Sequence, residues 1–163
     1  MRARHFVVAL AAFAATGLRA QSSAITTNAT VVTPITVTGM APLDWGTIAQ
    51  NSNNNLNPNN ASSGRFSVTG LLGAQVALTF TLPDQISNGG STMPVTNYSI
   101  RVNETNSTGG SNNLAVTSGT AVTQTLTTGS LFFFIGGRVS AAPAQQWGVY
   151  TGTITLAAAY TGL

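Results

Sequence analysis

Beyond residue 20 the sequence contains no cysteine, no histidine and no lysine. Its charged side chains there are Arg65, Arg101, Arg138, Asp44, Asp84 and Glu104 alone. Each absence excludes chemistry. Without histidine there is no Ser-His-Asp triad. Without histidine or cysteine there is no ordinary zinc site. The three carboxylates are scattered, whereas calcium prefers a cluster, and a glycosidase pair would need two of them to converge. Asp84 follows Pro83, a turn position where aspartate bonds local backbone, and Glu104 falls in a polar loop. The composition describes a protein that is not an enzyme and holds no cofactor or metal. With no cysteine, stability rests on packing and hydrogen bonds rather than on disulfides.

The formal charge of +3 belongs to the first twenty residues, where Arg2, Arg4 and Arg19 lie. The rest is balanced, so no counterion-release term favours nucleic acid. Residues 1–20 read as a secretory signal peptide, with basic Arg2 and Arg4, an apolar run from Phe6 to about Leu18, and Ala20 before Gln21. The run is shorter than the roughly 20 apolar residues of a membrane span. Cleavage near Ala15 is an alternative, and an N-terminal core helix is the structural one. Residues 21–163 then form one exported domain, with no integral membrane span after leader removal, destined for the periplasm, cell surface or extracellular space.

What is present is threonine, valine, isoleucine and aromatics in short runs between Gly, Asn, Ser and Pro clusters. Strands are expected at Ala29 to Thr38 (interrupted by Pro34, hence an edge or bulge), Leu43 to Ala49, Arg65 to Thr69, Val76 to Leu82, a run around Tyr98, Ile100 and Val102, Ala121 to Thr127, Leu131 to Ile135, and Val149 to about Tyr160. In the fourth, Val76, Leu78, Phe80 and Leu82 alternate with small or hydroxylated residues. Burying one such face contributes on the order of 6–12 kcal/mol before entropy. Gln50 to Ser63, with seven asparagines between Asn51 and Asn60, reads as a solvated or disordered excursion. Gly136-Gly137 suggests a bulge or bend. The spacing predicts an all-β fold, a single antiparallel β-sandwich of immunoglobulin-like or jelly-roll type.

Ala29-Thr30-Val31-Val32-Thr33-Pro34-Ile35-Thr36-Val37, then Leu43-Asp44-Trp45-Gly46-Thr47-Ile48, and finally Gln146-Trp147-Gly148-Val149-Tyr150-Thr151-Gly152 running on to Tyr160 form a pattern that resembles a family of exported bacterial domains of unknown function. Those open with ATVVxPIxV…LDFG and close with QxxGxYxGxxxVxxxY. The closing strand is also distantly similar to those of chaperone–usher pilins and spore-coat-U-like subunits. That wider resemblance implies an immunoglobulin-like sandwich completed by a strand from a neighbour. The chain departs from many such pilins in having no cysteine, and the resemblance implies no catalytic residue.

The candidate assembly strands are Ala29, Val31, Ile35 and Val37 at one end and Tyr150, Ile154, Leu156 and Tyr160 at the other. The first set is either an internal strand or one given to a neighbour. Trp45 and Trp147 are each either core side chains or ligand-facing aromatics suited to sugar stacking. Phe132 to Phe134 are a buried central strand or an exposed adhesive patch. Asn-x-Ser/Thr sites at Asn28, Asn60, Asn97, Asn103 and Asn106 follow from composition. The functional expectation is a non-enzymatic exported structural or cell-surface protein, a pilin-like subunit associating with itself or with other exported subunits by strand addition. The alternatives are a secreted carbohydrate-binding module and a small outer-membrane β-barrel. For the leader, intact-mass measurement of exported protein is expected to give a chain beginning at Gln21; retention of residues 1–20 would contradict the reading.

Overall fold

The computed structural model describes residues 21–162, so the leader and Leu163 lie outside the described residues. Two units are present, Met1–Val31 and Val32–Leu163. In the first, residues 21–31 form no regular structure and are exposed, Ile25 and Val31 among them.

The second unit is all-β and antiparallel. Its strands are β1 (Thr36–Ala41), β2 (Asn53–Leu56), β3 (Gly64–Thr69), β4 (Gln75–Thr81), β5 (Gln85–Asn88), β6 (Ser91–Asn103), β7 (Asn112–Leu114), β8 (Ala121–Thr125), β9 (Ser130–Ser140) and β10 (Thr155–Tyr160). The larger sheet runs β1-β3-β9-β6-β5, with β2 added to β9 and β7 to β6; the smaller runs β10-β4-β8. Together they make the sandwich.

Alternation dictates which side chains meet between the sheets. Val76, Leu78 and Phe80 of β4 and Leu156 of β10 face Val68 of β3, Ile100 and Val102 of β6, and Leu131, Phe133 and Ile135 of β9 in one buried cluster. Phe80 and Phe133, both fully buried, meet edge to face with ring centroids 5.4 Å apart and planes at 72°. The run from Leu131 to Ile135 is covered on both faces: Phe134 points the other way, is 1 % exposed, and lies 5.6 Å below the Arg65 guanidinium carbon.

The two sheets differ in length, and that difference makes the rest of the molecule. β6 has 13 residues and β9 has 11, against 6, 7 and 5 for β10, β4 and β8. At about 3.4 Å per residue the long strands outreach the short ones by more than 10 Å. The overhang carries a second buried cluster, Ile86, Met93, Val95, Val139 and Ala141, covered by Trp45, Ile48, Tyr98 and Tyr150 rather than by a sheet. A register shift between Thr96 and Ser99 lets β6 serve both clusters. One extra residue there reverses the alternation, so odd-numbered Met93 and Val95 and even-numbered Ile100 and Val102 all face inward.

Several expectations need correction. The first strand begins at Thr36, so Pro34 precedes it; β1 does occupy a sheet edge. Leu43 to Ala49 is irregular. The asparagine-rich segment is ordered: it contains β2, and Asn57 and Asn60 accept from the N–H groups of Asn59 and Ser62 at 2.9 Å each. These Asx turns let Pro58 and Ser63 bury despite the polar composition. The glycine pair is not itself bulged; the bulge is opposite, in β6. Gly137 leaves room for the Tyr98 ring, and Gly136 for the backbone of Leu56 and Pro58. A side chain at 136 would collide with the Leu56 carbonyl oxygen and sit 2.7 Å from Pro58. Gly136→Ala is therefore expected to lower the unfolding free energy by about 1–3 kcal/mol in urea denaturation; an unchanged midpoint would show that the 56–58 segment yields freely.

Candidate functional site

Among the described residues no strand covers the overhang, and a groove opens there. Its cavity of about 970 Å³ lies between residues 41–48 and 145–154, over a floor that includes Ile86, Met93, Tyr98 and Ile135. A shallower extension of about 370 Å³ continues it along Gly39–Pro42 to Phe66 and Ile154. The two motif-bearing stretches, Leu43 to Ile48 and Gln146 to Gly152, are thus the opposite walls of one groove.

Each wall is held by polar contacts. Trp45 is half-buried; its indole N–H donates to Gly137 O at 2.9 Å, and its carbonyl accepts from Asn54 Nδ2 at 2.7 Å. Asp44 Oδ1 accepts from the Gly46 N–H at 2.8 Å, a turn that needs the positive φ of 68° at Gly46. On the other wall Gln145 is 8 % exposed. Its side-chain nitrogen lies 2.6 Å from Tyr150 OH, 3.0 Å from Ser91 Oγ and 3.0 Å from Thr92 O. Tyr150 OH also donates to Gln146 O at 2.8 Å. Ser87 and Thr151 exchange two backbone hydrogen bonds of 2.9 Å, and Asn88 Nδ2 donates to Trp147 O at 3.2 Å. Between these anchors Trp147 and Val149 stand 89 % and 80 % exposed.

Tyr160 OH accepts from the Leu71 N–H and donates to Thr33 O, both at 2.6 Å, tying the start of the β1 segment to the end of β10. Beyond that tie β1 and β10 approach each other without pairing. The bond from Thr161 N–H to Gln75 O, with the register of β10 on β4, turns the odd residues of β10 toward β4. Antiparallel alternation then turns the backbone groups of Leu156 and Ala158 away from β4, and Ile154, just before β10, lines the groove.

The structure places Leu156 in the main core, Ile35, Val37, Ile154 and Tyr160 at its margin, and Trp45 and Tyr150 against the second cluster. Ala29 and Val31 are exposed, Val31 at 96 %. The roles of Ser91 and Asn88 in anchoring the groove wall were not legible, because their bonds to Gln145 and Trp147 span more than fifty positions. No group of three or more His, Cys, Asp or Glu side chains that could hold a metal occurs among the described residues. No described helix is long and apolar enough to cross a membrane.

Tyr98 marks the boundary of the two clusters. Its hydroxyl donates to Pro83 O at 2.8 Å. Burial, reinforced by the negative charge of Asp84, pushes its phenol up from 10.0 to about 12. A folded-state value above the unfolded one contributes stability that is complete below pH 10 and is lost as pH rises toward about 12. Tyr98→Phe is expected to cost about 1 kcal/mol at pH 7 through the lost hydrogen bond. It should also flatten the stability loss between pH 10 and pH 12, as urea denaturation across that range would show.

No curated protein matches the chain. A family model, described as a domain of unknown function (DUF4402), matches residues 35–160, from the approach to β1 through the last residue of β10. Both groove walls and both sheets fall inside that match, and the chain belongs to the DUF4402 family.

Proposed function

We propose that this protein is a non-enzymatic exported structural subunit that associates by β-strand addition, its groove receiving an extended segment from residues 21–33 of another copy. The observation that carries the reading is a pair of sheet edges, β1 and β10, that approach each other without pairing beside a groove with an apolar floor. The groove reaches them where β1 ends at Ala41 and where Ile154 leads into β10. Adding a strand there would satisfy the outward backbone groups of β10 and cover the floor.

Residues 24–33 suit the role. Ile25, Ala29 and Val31 alternate with Thr26, Asn28, Thr30 and Val32, and no charge occurs between Gln21 and Leu43. An uncharged alternating strand enters an apolar groove without burying an ion. Donation of this kind is head-to-tail and leads to open chains rather than closed dimers.

A second reading rests on Trp147, whose exposure beside Tyr150 and the groove mouth suits stacking on a sugar ring. An outer-membrane barrel requires a closed ring of strands, whereas β1 and β8 each pair with one neighbour.

Size-exclusion chromatography with light scattering separates the first two. Residues 21–163 are expected to form oligomers that grow open-endedly with concentration, and a chain beginning at Val32 to lose that growth, remain folded and bind a peptide of residues 22–33. Assembly that the truncation leaves unchanged, with a peptide that does not bind, would sink strand addition. Tryptophan quenching by a glycan panel, lost in Trp147→Ala, would then favour carbohydrate binding.

A further inference from the structure

Among the described strand edges, β8 has the least protection, a single side-chain bond from Gln124. β1 has a register shift between Gly39 and Ala41, β2 and β5 have four residues each, and β7 has three. Ser87 of β5 is also bridged to Thr151, and β10 lies beside β1. By contrast, Ala121-Val122-Thr123-Gln124-Thr125 is a regular five-residue edge with no proline, no charge and no register shift against β4. Those missing features are the ones folded proteins use to block edge-to-edge pairing.

The backbone orientation follows from the neighbouring bonds. Leu126 N–H donates to Ala74 O at 2.9 Å, and Gly73 N–H donates to Leu126 O at 2.7 Å. Even-numbered residues here therefore turn to β4, and Ala121, Thr123 and Thr125 turn their N–H and C=O groups outward. Gln124 Nε2 donates to Thr123 O at 2.9 Å, standing where a ladder partner would be.

We propose that β8 pairs antiparallel with β8 of a second copy about a two-fold axis at Thr123, joining two three-stranded sheets into one of six strands. The edge is self-complementary in that register. Thr123 meets Thr123, Ala121 meets Thr125, and Val122 meets Gln124, with the outward groups of the first two pairs in hydrogen-bonding alignment. Threonine pairs of this kind are favourable across strands. Charge places no obstacle, since residues 66–83, 105–137 and 139–163 contain no Asp, Glu, Lys or Arg, so the whole β10-β4-β8 sheet is uncharged. A contact limited to one edge makes a weak, reversible and closed dimer. It uses the side of the small sheet opposite the groove and stands whether or not strand addition does.

The absence of cysteine makes the test clean. In the full chain, Thr123→Cys places two sulfurs on a hydrogen-bonded antiparallel pair, whose Cα separation of about 5.5 Å lies in the disulfide range. Mild oxidation is expected to crosslink it at least about tenfold faster than Thr81→Cys, an exposed position on central β4. Thr123→Pro deletes an outward N–H while keeping the bonds to β4. It should weaken dimerisation about tenfold in sedimentation equilibrium, corresponding to the two ladder bonds lost per dimer. Wild-type dimerisation should be nearly unchanged by 1 M salt, on the scale at which charged contacts are screened. Equal crosslinking of the two cysteine variants, or a proline variant that dimerises like the parent, overturns the proposal. Neither substituted position lies in residues 21–31 or in the groove, so the comparison of each variant with its parent stays interpretable if strand addition fails.

Discussion

The packing of Phe80 and its β4 neighbours against Leu131, Phe133 and Ile135 of β9 is the contact on which the rest of this structure depends. With no disulfide and almost no charge, little else can hold two sheets face to face. A fully buried large apolar side chain contributes about 1.5–3 kcal/mol. Phe80, Phe133, Leu78, Val76, Val68 and Ile135 are all fully buried, so this cluster outweighs any single polar contact. It also sets how far the small sheet can reach, because the apolar alternation of β4 ends at Phe80 and Leu82.

Past that limit the long strands β6 and β9 carry apolar side chains with no sheet to cover them. The chain solves this with two irregular segments, one bearing Trp45 and Ile48 and the other Tyr150. Irregular backbone leaves polar groups to satisfy, and the Asn54 amide and the Tyr150 hydroxyl satisfy the Trp45 and Gln146 carbonyls, while the Trp45 indole and the Gln145 amide pin the walls to carbonyls of β9 and β6. Side chains of this kind hold the walls apart and in place, but they do not fill the space between them. The groove is thus a consequence of unequal strand lengths, preserved by hydrogen bonding.

The shortage of charge acts at the surface as well. Arg65 and Arg101 flank Phe134 in register across three strands, and Arg101 is engaged with Ser111 in the β6–β7 loop. The small sheet has no charge at all. Sheet edges in such a molecule are guarded by shortness, by bulges and by covering loops, and where these devices are missing the backbone groups are left at the surface. That unites the edge of β10 with the far edge along β8: each turns N–H and C=O groups outward on a neutral background.

Much of the architecture was legible in the residues. Alternation in Val76 to Leu82 and in Tyr98 to Val102, and the solid apolar run at Leu131 to Ile135, marked strands and their buried faces, because side-chain direction in a strand has a period of two and is written locally. The ordering of the asparagine-rich segment was not legible: β2 pairs with the distant β9, and Leu56 and Pro58 pack into the room left by Gly136, some eighty positions away. Nor was the half-burial of Trp45 against the exposure of Trp147, since each precedes a glycine in a similar motif. The sequence by itself determined an all-β chain with no cysteine, histidine or lysine beyond residue 20. Only the tertiary structure decided that the two motifs face each other across a groove and that β8 is left bare, because strand partners and relative strand lengths arise from contacts between distant segments, and no local pattern records which edge remains unpaired.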